Sequence, residues 1–368
     1  MLNIRKDLQE LKPCSHGGKA QEIAESSGCS ENDYLDFSVN LNPYPPKDAQ
    51  DVIKKAYCEV SKYPDNRYNE FKRSAAKFAG VKPENIVPGN GSTEIIRLFA
   101  EAIIEKGDII AIPCPTFGEY EQQCRLFGAR VRYLKFEDLL KKEYWQLDGC
   151  NAAFLCNPNN PDGRLITAGE VLEIAAHCKE KGISLVVDEA FIDLADPKES
   201  VAKYVNEYDN MFVMRSLTKC FSIPGFRLGF GIADRRSAEL LNIIRLTWNL
   251  NNITSEVGIY YMDNSRAYLD ISRAYIKRER EWLAENLCTI KCISVIPSTV
   301  NYFLVDVSGT GMTSTEFAAR MLNEKVIVRD CNSFKMLGDS HVRLAVRTRE
   351  ENKGLVEAIR KVISEARN

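Results

Sequence analysis

The middle of the chain is its most regular part, because short apolar runs alternate there with stretches of helical periodicity. The apolar runs cover residues 108–112, 152–156, 183–187 and 211–214, and Gly, Pro, Asn or Asp bounds each of them. Helical-looking stretches such as residues 168–181 separate the runs. Short buried strands separated by helices are typical of a largely parallel sheet with helices on both faces. The pattern therefore predicts an α/β domain.

The pattern changes after about residue 258. A charged helical stretch at residues 273–286 leads to strand-like residues 300–305 and 342–346, with a helix-like stretch at residues 314–323 between them. These elements indicate a second, smaller α+β domain. The first forty residues fit neither domain, and we expect them to form an arm that crosses the site or a partner subunit. The predicted arm, large domain and small domain cover residues 1–40, 41–258 and 259–368.

Length and charge narrow the classes of function. A chain of 368 residues exceeds one ordinary core, and 45% hydrophobic residues are ample to fill two. The formal charge of −2 gives no global field that would attract nucleic acid or an anionic membrane surface. Residues 1–12 mix charged side chains with isolated leucines, which fits neither a secretory signal nor a membrane span. We therefore expect a cytoplasmic protein whose anion sites are local.

Cysteine and histidine usage gives no sign of disulfides or of a metal site. The twelve cysteines are scattered singly, and the closest pair, Cys288 and Cys292, does not form a CxxC motif. We interpret them as reduced, mostly buried thiols. The histidines His16, His177 and His341 are too few and too dispersed for a ligand cluster, so we predict no metal.

Polar residues follow several of the predicted strands, which is where ligands bind in open α/β sheets. The segment GNGSTE at residues 89–94 precedes a helical pattern at residues 95–104. Glycine turns there would direct free backbone N–H groups and the hydroxyls of Ser92 and Thr93 at a phosphate. The same pattern also fits an ordinary N-capped helix start, so it gains weight only from its neighbours.

An acid and a lysine that follow other predicted strands give the glycine-rich segment that weight. Asp188 follows the apolar run, and a buried carboxylate is costly unless it is paired with a cation or a donor such as a pyridinium nitrogen. Lys219 can form an imine with an aldehyde, while Ser216 before it and Arg227 after it can converge on a phosphate. A lysine taken alone is usually a solvated surface charge, but this one follows an apolar strand among phosphate-type ligands.

This combination resembles the fold-type-I pyridoxal-phosphate (PLP) enzymes of the class I/II aminotransferase family, from the arm to about Arg349. The resemblance implies an aspartate-aminotransferase-like fold, pyridoxal 5'-phosphate as cofactor and a homodimer. In the family's pattern Lys219 is the Schiff-base lysine, Asp188 pairs with the pyridinium nitrogen and Asn160 donates to the phenolate oxygen of the ring. Phe117 corresponds to the aromatic residue stacked on the ring. The cofactor phosphate is assigned by the resemblance to Gly91, Ser92, Thr93, Ser216, Arg227 and, from the neighbouring subunit, Tyr63.

Within the family the chain resembles threonine-phosphate decarboxylase of cobamide biosynthesis and, next, histidinol-phosphate aminotransferase. His16 and Asn40 match arm residues of the decarboxylase that reach the substrate, although a histidine here could also simply cap the arm. Phe191 stands where aminotransferases of the family usually have a tyrosine that donates to the phenolate oxygen, although it could also only pack. The family's substrate-anion ligands correspond to Arg329 and Arg343, to which the same strand face adds Arg347.

The resemblance implies PLP-dependent decarboxylation of O-phospho-L-threonine to (R)-1-aminopropan-2-yl phosphate for the cobamide nucleotide loop, or of O-phospho-L-serine to ethanolamine phosphate. The first alternative is an aminotransferase of the histidinol-phosphate type that uses 2-oxoglutarate and glutamate. The second is a PLP-binding regulatory protein without catalysis, which the presence of both Lys219 and Asp188 disfavours. The chain departs from the family's pattern at Asp162, which a turn tolerates. It also departs at Lys19 and in residues 331–334, which lie near the expected substrate pocket and leave open whether phosphothreonine or phosphoserine fits better.

Overall fold

The large lobe is built on a seven-stranded sheet in a computed structural model that describes residues 2–9 and 11–366. Strand β8 runs antiparallel to both of its neighbours, and the other adjacent strands are parallel. The predicted α/β architecture with a mostly parallel sheet is confirmed. In spatial order the strands are β2 (Ile86–Gly89), β8 (Gly229–Ile232), β7 (Met211–Ser216), β6 (Ser184–Asp188), β5 (Ala152–Cys156), β3 (Ile109–Cys114) and β4 (Arg130–Lys135).

Helices cover both faces of this sheet, which explains why its central strands read as continuous apolar runs. Along β6, Leu185 and Val187 belong to one hydrophobic cluster and Val186 belongs to the cluster on the opposite face. Successive side chains of a strand point to opposite faces, so each face needs its own cover. Each of the four predicted apolar runs forms a strand.

The helices also follow the predicted pattern. A Thr167–Glu170 capping box starts the helix expected at residues 168–181. The helices are α1 (Ala20–Ser27), α2 (Gln50–Tyr57), α3 (Asn69–Ala79), α4 (Gly91–Ile103), α5 (Glu119–Leu126), α6 (Phe136–Leu140), α7 (Ala168–Glu180), α8 (Leu217–Cys220), α9 (Arg235–Ile244), α10 (Asn252–Asp263), α11 (Ser265–Cys288), α12 (Ser314–Asn323) and α13 (Arg349–Ala366). No helix within residues 2–9 and 11–366 is long and apolar enough to cross a membrane.

The small lobe contains a four-stranded antiparallel sheet. Helix α11 joins the two lobes, because Ile276 packs in the core of the large lobe and Leu283 in that of the small lobe. The arm is fixed to the small lobe by a parallel pair, β1 (Leu35–Asp36) with β11 (Val326–Ile327). The domain limits given above stay a prediction. The order of the antiparallel strands is β12 (Arg329–Asp330), β13 (His341–Ala345), β10 (Tyr302–Asp306) and β9 (Ser294–Val295).

Candidate functional site

A cavity of about 690 Å³ lies over the carboxyl ends of β3, β5, β6 and β7. Residues 11–17 of the arm and side chains of the small lobe close its other sides. This is the position expected for a ligand in an open α/β sheet. The predicted site residues that line the cavity are His16, Asn40, Ser92, Thr93, Phe117, Asn160, Asp188, Ser216, Lys219, Arg227, Arg329 and Arg343.

Lys219 lies on α8, the single helical turn that follows β7. Burial, and after it the charges of Arg343 and Arg227, lowers the pKa of Lys219 to about 8. About a tenth of the side chain is then a neutral amine at pH 7, far more than at the ordinary pKa of 10.5, and the neutral amine is the nucleophilic form. Lys219 therefore has the chemical state that imine formation and proton transfer require.

Asp188 ends β6, and its carboxylate is buried under the cavity. The Tyr120 hydroxyl donates to Asp188 Oδ2 at 2.6 Å, and the Ala190 N–H donates to Oδ1 at 3.0 Å. Burial raises the pKa of Asp188 to about 6 despite these two donors. A cation placed above this carboxylate would stabilise its charged form.

The same burial makes Asp188 costly for the cofactor-free protein. Its folded pKa of about 6 exceeds the ordinary 3.8, so its contribution to stability is present below pH 3.8 and is lost as the pH rises through 6. We expect Asp188→Asn to raise the free energy of unfolding of the cofactor-free protein by roughly 3 kcal/mol near pH 8. Near pH 4 the gain should shrink to a few tenths. Urea unfolding at the two pH values measures it, and an equal gain at both contradicts the assignment.

An anion site forms where α4 begins. Gly91 adopts φ +79°, and a Cβ atom on it would lie 2.8 Å from Arg227 Nη2. A Cβ atom on Gly229 of β8 would lie 3.1 Å from the backbone nitrogen of Ser92, so both glycines allow close backbone approach. The helix N-terminus, the hydroxyls beside it and the Arg227 guanidinium therefore converge as a phosphate requires. Gly91 itself does not line the cavity but forms the wall behind Arg227.

The arm places His16 at the opposite side of the cavity. Its ring centroid lies 5.9 Å from that of Phe117, and its Nε2 lies 2.8 Å from Glu119 Oε1. The Gln123 amide donates to Glu119 Oε2 at 2.8 Å. The hydrogen bond with His16 is the largest cause that lowers the pKa of Glu119 below its ordinary value. His16 is therefore oriented by a buried carboxylate and does not merely cap the arm.

Glu119 is thus expected to position His16. We expect Glu119→Gln to raise the KM of the substrate about tenfold with a much smaller change in kcat, because a neutral amide is a weaker acceptor than a carboxylate. Steady-state kinetics measures the split between KM and kcat. Glu121→Gln is the matched control, since Glu121 lies on the same helix α5 and lines the cavity but pairs with Arg125 instead of His16. Equal effects of the two variants would contradict a specific role for Glu119.

Arg343 and Arg329 are register partners on adjacent antiparallel strands, so the two guanidinium groups start from the same face of the small sheet. Arg343 donates to Asn160 Oδ1 at 2.5 Å and to the Ser38 carbonyl at 2.9 Å. Its Nε and Asn40 Oδ1 are buried polar atoms that have no hydrogen-bond partner in the described residues. Unpaired buried polar atoms are rare, and here both belong to the cavity wall.

Arg329 points instead toward the arm. It donates to Ser15 Oγ at 2.9 Å, to the Ser15 carbonyl at 2.7 Å and to Ser333 Oγ at 3.0 Å. The two arginines therefore serve two sides of one cavity, one beside Lys219 and one beside two serine hydroxyls. Sequence reasoning missed Ser15 and Ser333, because nothing in periodicity reports contacts between such distant segments.

Phe191 lies in the cavity wall and packs edge-on against Tyr302, with ring centroids 5.0 Å apart. The hydroxyl of Tyr302 donates to the Asn159 carbonyl at 2.8 Å. Phe191 thus presents a phenyl ring to the cavity, as expected, and the Tyr302 hydroxyl is bonded to a backbone carbonyl.

Two predicted residues lie elsewhere. The placement of Arg347 beside the substrate is wrong, because β13 ends at Ala345 and the Arg347 guanidinium pairs with Glu351 of α13 at 2.6 Å. Tyr63 lies outside the cavity, has a side chain that is 78% exposed and stacks on Trp248 with ring centroids 4.3 Å apart. The predicted contact of Tyr63 with the cofactor phosphate of a neighbouring subunit stays a prediction.

Tyr120 and Glu119 are contacts of the site that the sequence analysis did not assign. Both lie in the segment that follows β3, immediately after Phe117. The rule that strand ends carry ligands, applied to β3 as it was to β6 and β7, could have found them.

Comparison with known proteins places the chain in a large family. The family model for aminotransferase class I and II matches residues 30–359. A histidinol-phosphate aminotransferase of Methanocaldococcus jannaschii is 30% identical over 98% of both chains. A protein of Caldanaerobacter subterraneus named "Putative threonine-phosphate decarboxylase" is 32% identical over 98% of this chain and 97% of its own.

Solved structures show the same fold. Aspartate aminotransferase of Thermus thermophilus with maleate superposes with a TM-score of 0.83 at 20% identity over the whole of both chains. Histidinol-phosphate aminotransferase of Sinorhizobium meliloti, in complex with pyridoxal-5'-phosphate, superposes with a TM-score of 0.86 at 18% identity over 99% of this chain and 98% of its own. The expected aspartate-aminotransferase-like fold is confirmed.

The cofactor of this family fits the cavity. A phosphate fits the anion site at α4, and a protonated ring nitrogen would supply the cation that buried Asp188 lacks. Lys219 lines the same cavity with a lowered pKa, as covalent attachment of an aldehyde requires. The cofactor is pyridoxal 5'-phosphate.

Proposed function

Because the chain belongs to the class I and II aminotransferase family, we propose that it decarboxylates O-phospho-L-threonine to (R)-1-aminopropan-2-yl phosphate and CO₂. The register pairing of Arg329 with Arg343 carries the proposal, since it brings two cations into one cavity, where each serves its own side. A short amino acid with a carboxylate and a phosphate offers one anion to each. Of the phosphorylated substrates compared, histidinol phosphate carries a single anionic group and leaves one of the two cations unmatched. O-phospho-L-serine has the same two anions and is a second substrate of this class.

The two arginines divide the substrate between them. Arg343 is the nearer to the chemistry, because its charge acts on Lys219 and its guanidinium bonds to Asn160. We therefore assign the substrate carboxylate to Arg343. Arg329 with the hydroxyls of Ser15 and Ser333 takes the phosphate, which accepts several donors at once.

His16 and Asn40 hold the carboxylate away from the plane of the cofactor ring. His16 is fixed by Glu119, and Asn40 lines the cavity with a carboxamide whose NH₂ group can donate to a carboxylate. A bond breaks most readily at Cα when it stands perpendicular to that plane. Holding the carboxylate there favours the loss of CO₂ over the loss of the Cα proton.

Pyridoxal phosphate, when bound, supplies a ring that accepts the electron pair released at Cα. Asp188 favours the protonated state of the ring nitrogen, which strengthens that acceptor. Lys219 Nζ then delivers a proton to Cα after CO₂ has left, for which its pKa of about 8 is suited. Phe191 offers no hydroxyl to the phenolate oxygen, and this leaves Asn160 as its donor on that side.

A histidinol-phosphate-type aminotransferase is the second candidate, favoured by the relative of that name at 30% identity over nearly the whole chain. It would use the same cofactor, Lys219 and Asp188, but it would transfer the amino group to 2-oxoglutarate. Phe191 and the His16–Glu119 pair favour the decarboxylase.

The exposed Tyr63–Trp248 stack supports assembly as a homodimer, because a large aromatic pair on the surface is a typical interface anchor. Tyr63 would then reach the cofactor phosphate of the neighbouring subunit. Light scattering of the holoenzyme should give twice the mass of one chain.

The test of function is a substrate comparison. The holoenzyme is incubated with O-phospho-L-threonine or O-phospho-L-serine, and CO₂ and the amine product are followed by mass spectrometry. Release of CO₂ with the matching amino-alcohol phosphate supports decarboxylation and ranks the two substrates. Glutamate formed from 2-oxoglutarate with histidinol phosphate as donor, without CO₂, would assign the chain to the aminotransferases.

A further inference from the structure

Cys29 has an environment that sets it apart from an ordinary surface thiol. The Lys325 ammonium donates to Cys29 Sγ at 3.0 Å and to the Tyr34 hydroxyl at 3.3 Å. The same ammonium lies 4.7 Å from the centroid of the Tyr34 ring. Tyr34 is held in turn by Ser27, whose Oγ is 2.8 Å from its hydroxyl. The cation is therefore fixed against the sulfur by several contacts.

The backbone fixes this pair as well. Lys325 adopts φ +60° immediately before β11, and its carbonyl accepts the Leu35 N–H at 2.9 Å. The main chain of the arm and that of the small lobe are thus joined at the residue whose side chain reaches Cys29. The thiol is partly exposed and lies outside the cavity lining.

We propose that Cys29, with Lys325, is an oxidation site that reacts with hydroperoxides. The nucleophile is the thiolate, which a neighbouring ammonium stabilises. Hydrogen bonding from Lys325 is also the largest cause that lowers the pKa of Cys29. Accessible thiols of this kind are the ones that oxidise selectively.

The reaction balances with the peroxide as oxidant. The Cys29 sulfur attacks one peroxide oxygen, an S–O bond forms and the O–O bond breaks. Sulfur is oxidised to a sulfenic acid, and the peroxide is reduced to water or an alcohol as the leaving oxygen takes a proton from the Lys325 ammonium. The proton that the thiol released to solvent when it became a thiolate balances the proton that Lys325 then takes up from solvent. The net change is thiol plus hydroperoxide to sulfenic acid plus water or alcohol.

The chain contains its own controls. Cys58 and Cys288 are exposed thiols, and Cys58 Sγ, just after the end of α2, donates to the Lys54 carbonyl at 3.4 Å. The holoenzyme is treated with an equimolar amount of hydrogen peroxide in the presence of dimedone, and the three cysteine peptides are quantified by mass spectrometry. We expect Cys29 to carry roughly fivefold more adduct than either control.

Two variants isolate the role of the ammonium. Lys325→Met should bring Cys29 to the level of the controls, and Lys325→Arg should keep most of its excess. Equal labelling of the three thiols in the wild type, or an excess that survives Lys325→Met, would overturn the proposal. If Lys325→Met does not fold, the pH profile of iodoacetamide alkylation in the wild type tests whether the ammonium stabilises the Cys29 thiolate. The Cys29 rate should level off at lower pH than the Cys58 rate, and a shared midpoint would overturn the proposal.

Discussion

Replacing Lys219 by alanine should lower turnover of the phosphorylated substrate by at least about 10⁴-fold. The variant loses both the amine that binds the cofactor aldehyde and the group that delivers a proton to Cα. The anion site at α4 and Asp188 remain, so the variant should still bind pyridoxal phosphate, but dialysis should remove it. Turnover is measured by CO₂ release, and cofactor retention by absorbance after dialysis.

Lys335→Ala is the matched control for that experiment. Lys335 also lines the cavity but stands at its exposed rim in the loop after β12. We expect less than about a threefold loss of turnover, since a solvated charge at the rim contributes little. A Lys219→Ala enzyme with unimpaired turnover would contradict the role of the cofactor altogether.

Arg343→Ala should lower kcat/KM by about 10²- to 10³-fold. Truncating one member of a buried, hydrogen-bonded charge contact costs roughly 2–5 kcal/mol, and the expected loss lies within that range. Cofactor affinity should fall less than about fivefold, since the phosphate and the ring nitrogen are held by other residues. The pH profile should also change. Arg343 is the charge that most lowers the pKa of Lys219, so its removal should raise that pKa and move the profile to higher pH.

Arg347→Ala is the control for Arg343. It removes the same type of side chain just after β13, but its guanidinium pairs with Glu351 away from the cavity. Its effect on kcat/KM should stay below about threefold. Equal losses of substrate and cofactor binding in Arg343→Ala would show that this arginine does not serve the substrate.

Much of the fold follows from local pattern. The apolar runs of the middle of the chain became strands because a sheet covered on both faces needs apolar side chains at every position. The placement of Asp188 and Lys219 followed from the same fact, since Asp188 ends one such strand and Lys219 lies in the helical turn that follows another. Strand ends meet at one edge, so residues far apart in sequence could be expected in one cavity.

The remaining contacts depend on tertiary structure. Arg347 was misplaced because strand periodicity was extended past Ala345, where the chain turns into α13 and Glu351 captures the guanidinium. The pairing of His16 with Glu119 joins the arm to α5 across 103 positions, and no local pattern reports such a contact. Tyr63 is exposed in the single chain, and its predicted role requires a second subunit.

In the proposed reaction CO₂, and not the Cα proton, leaves the substrate. The most direct test is to run the reaction with O-phospho-L-threonine in D₂O and to analyse both product and recovered substrate by mass spectrometry. We expect an aminopropanol phosphate with one deuterium on the carbon that lost the carboxylate, and recovered substrate that keeps its Cα hydrogen. Recovered substrate with deuterium at Cα, and no CO₂ released, would contradict it.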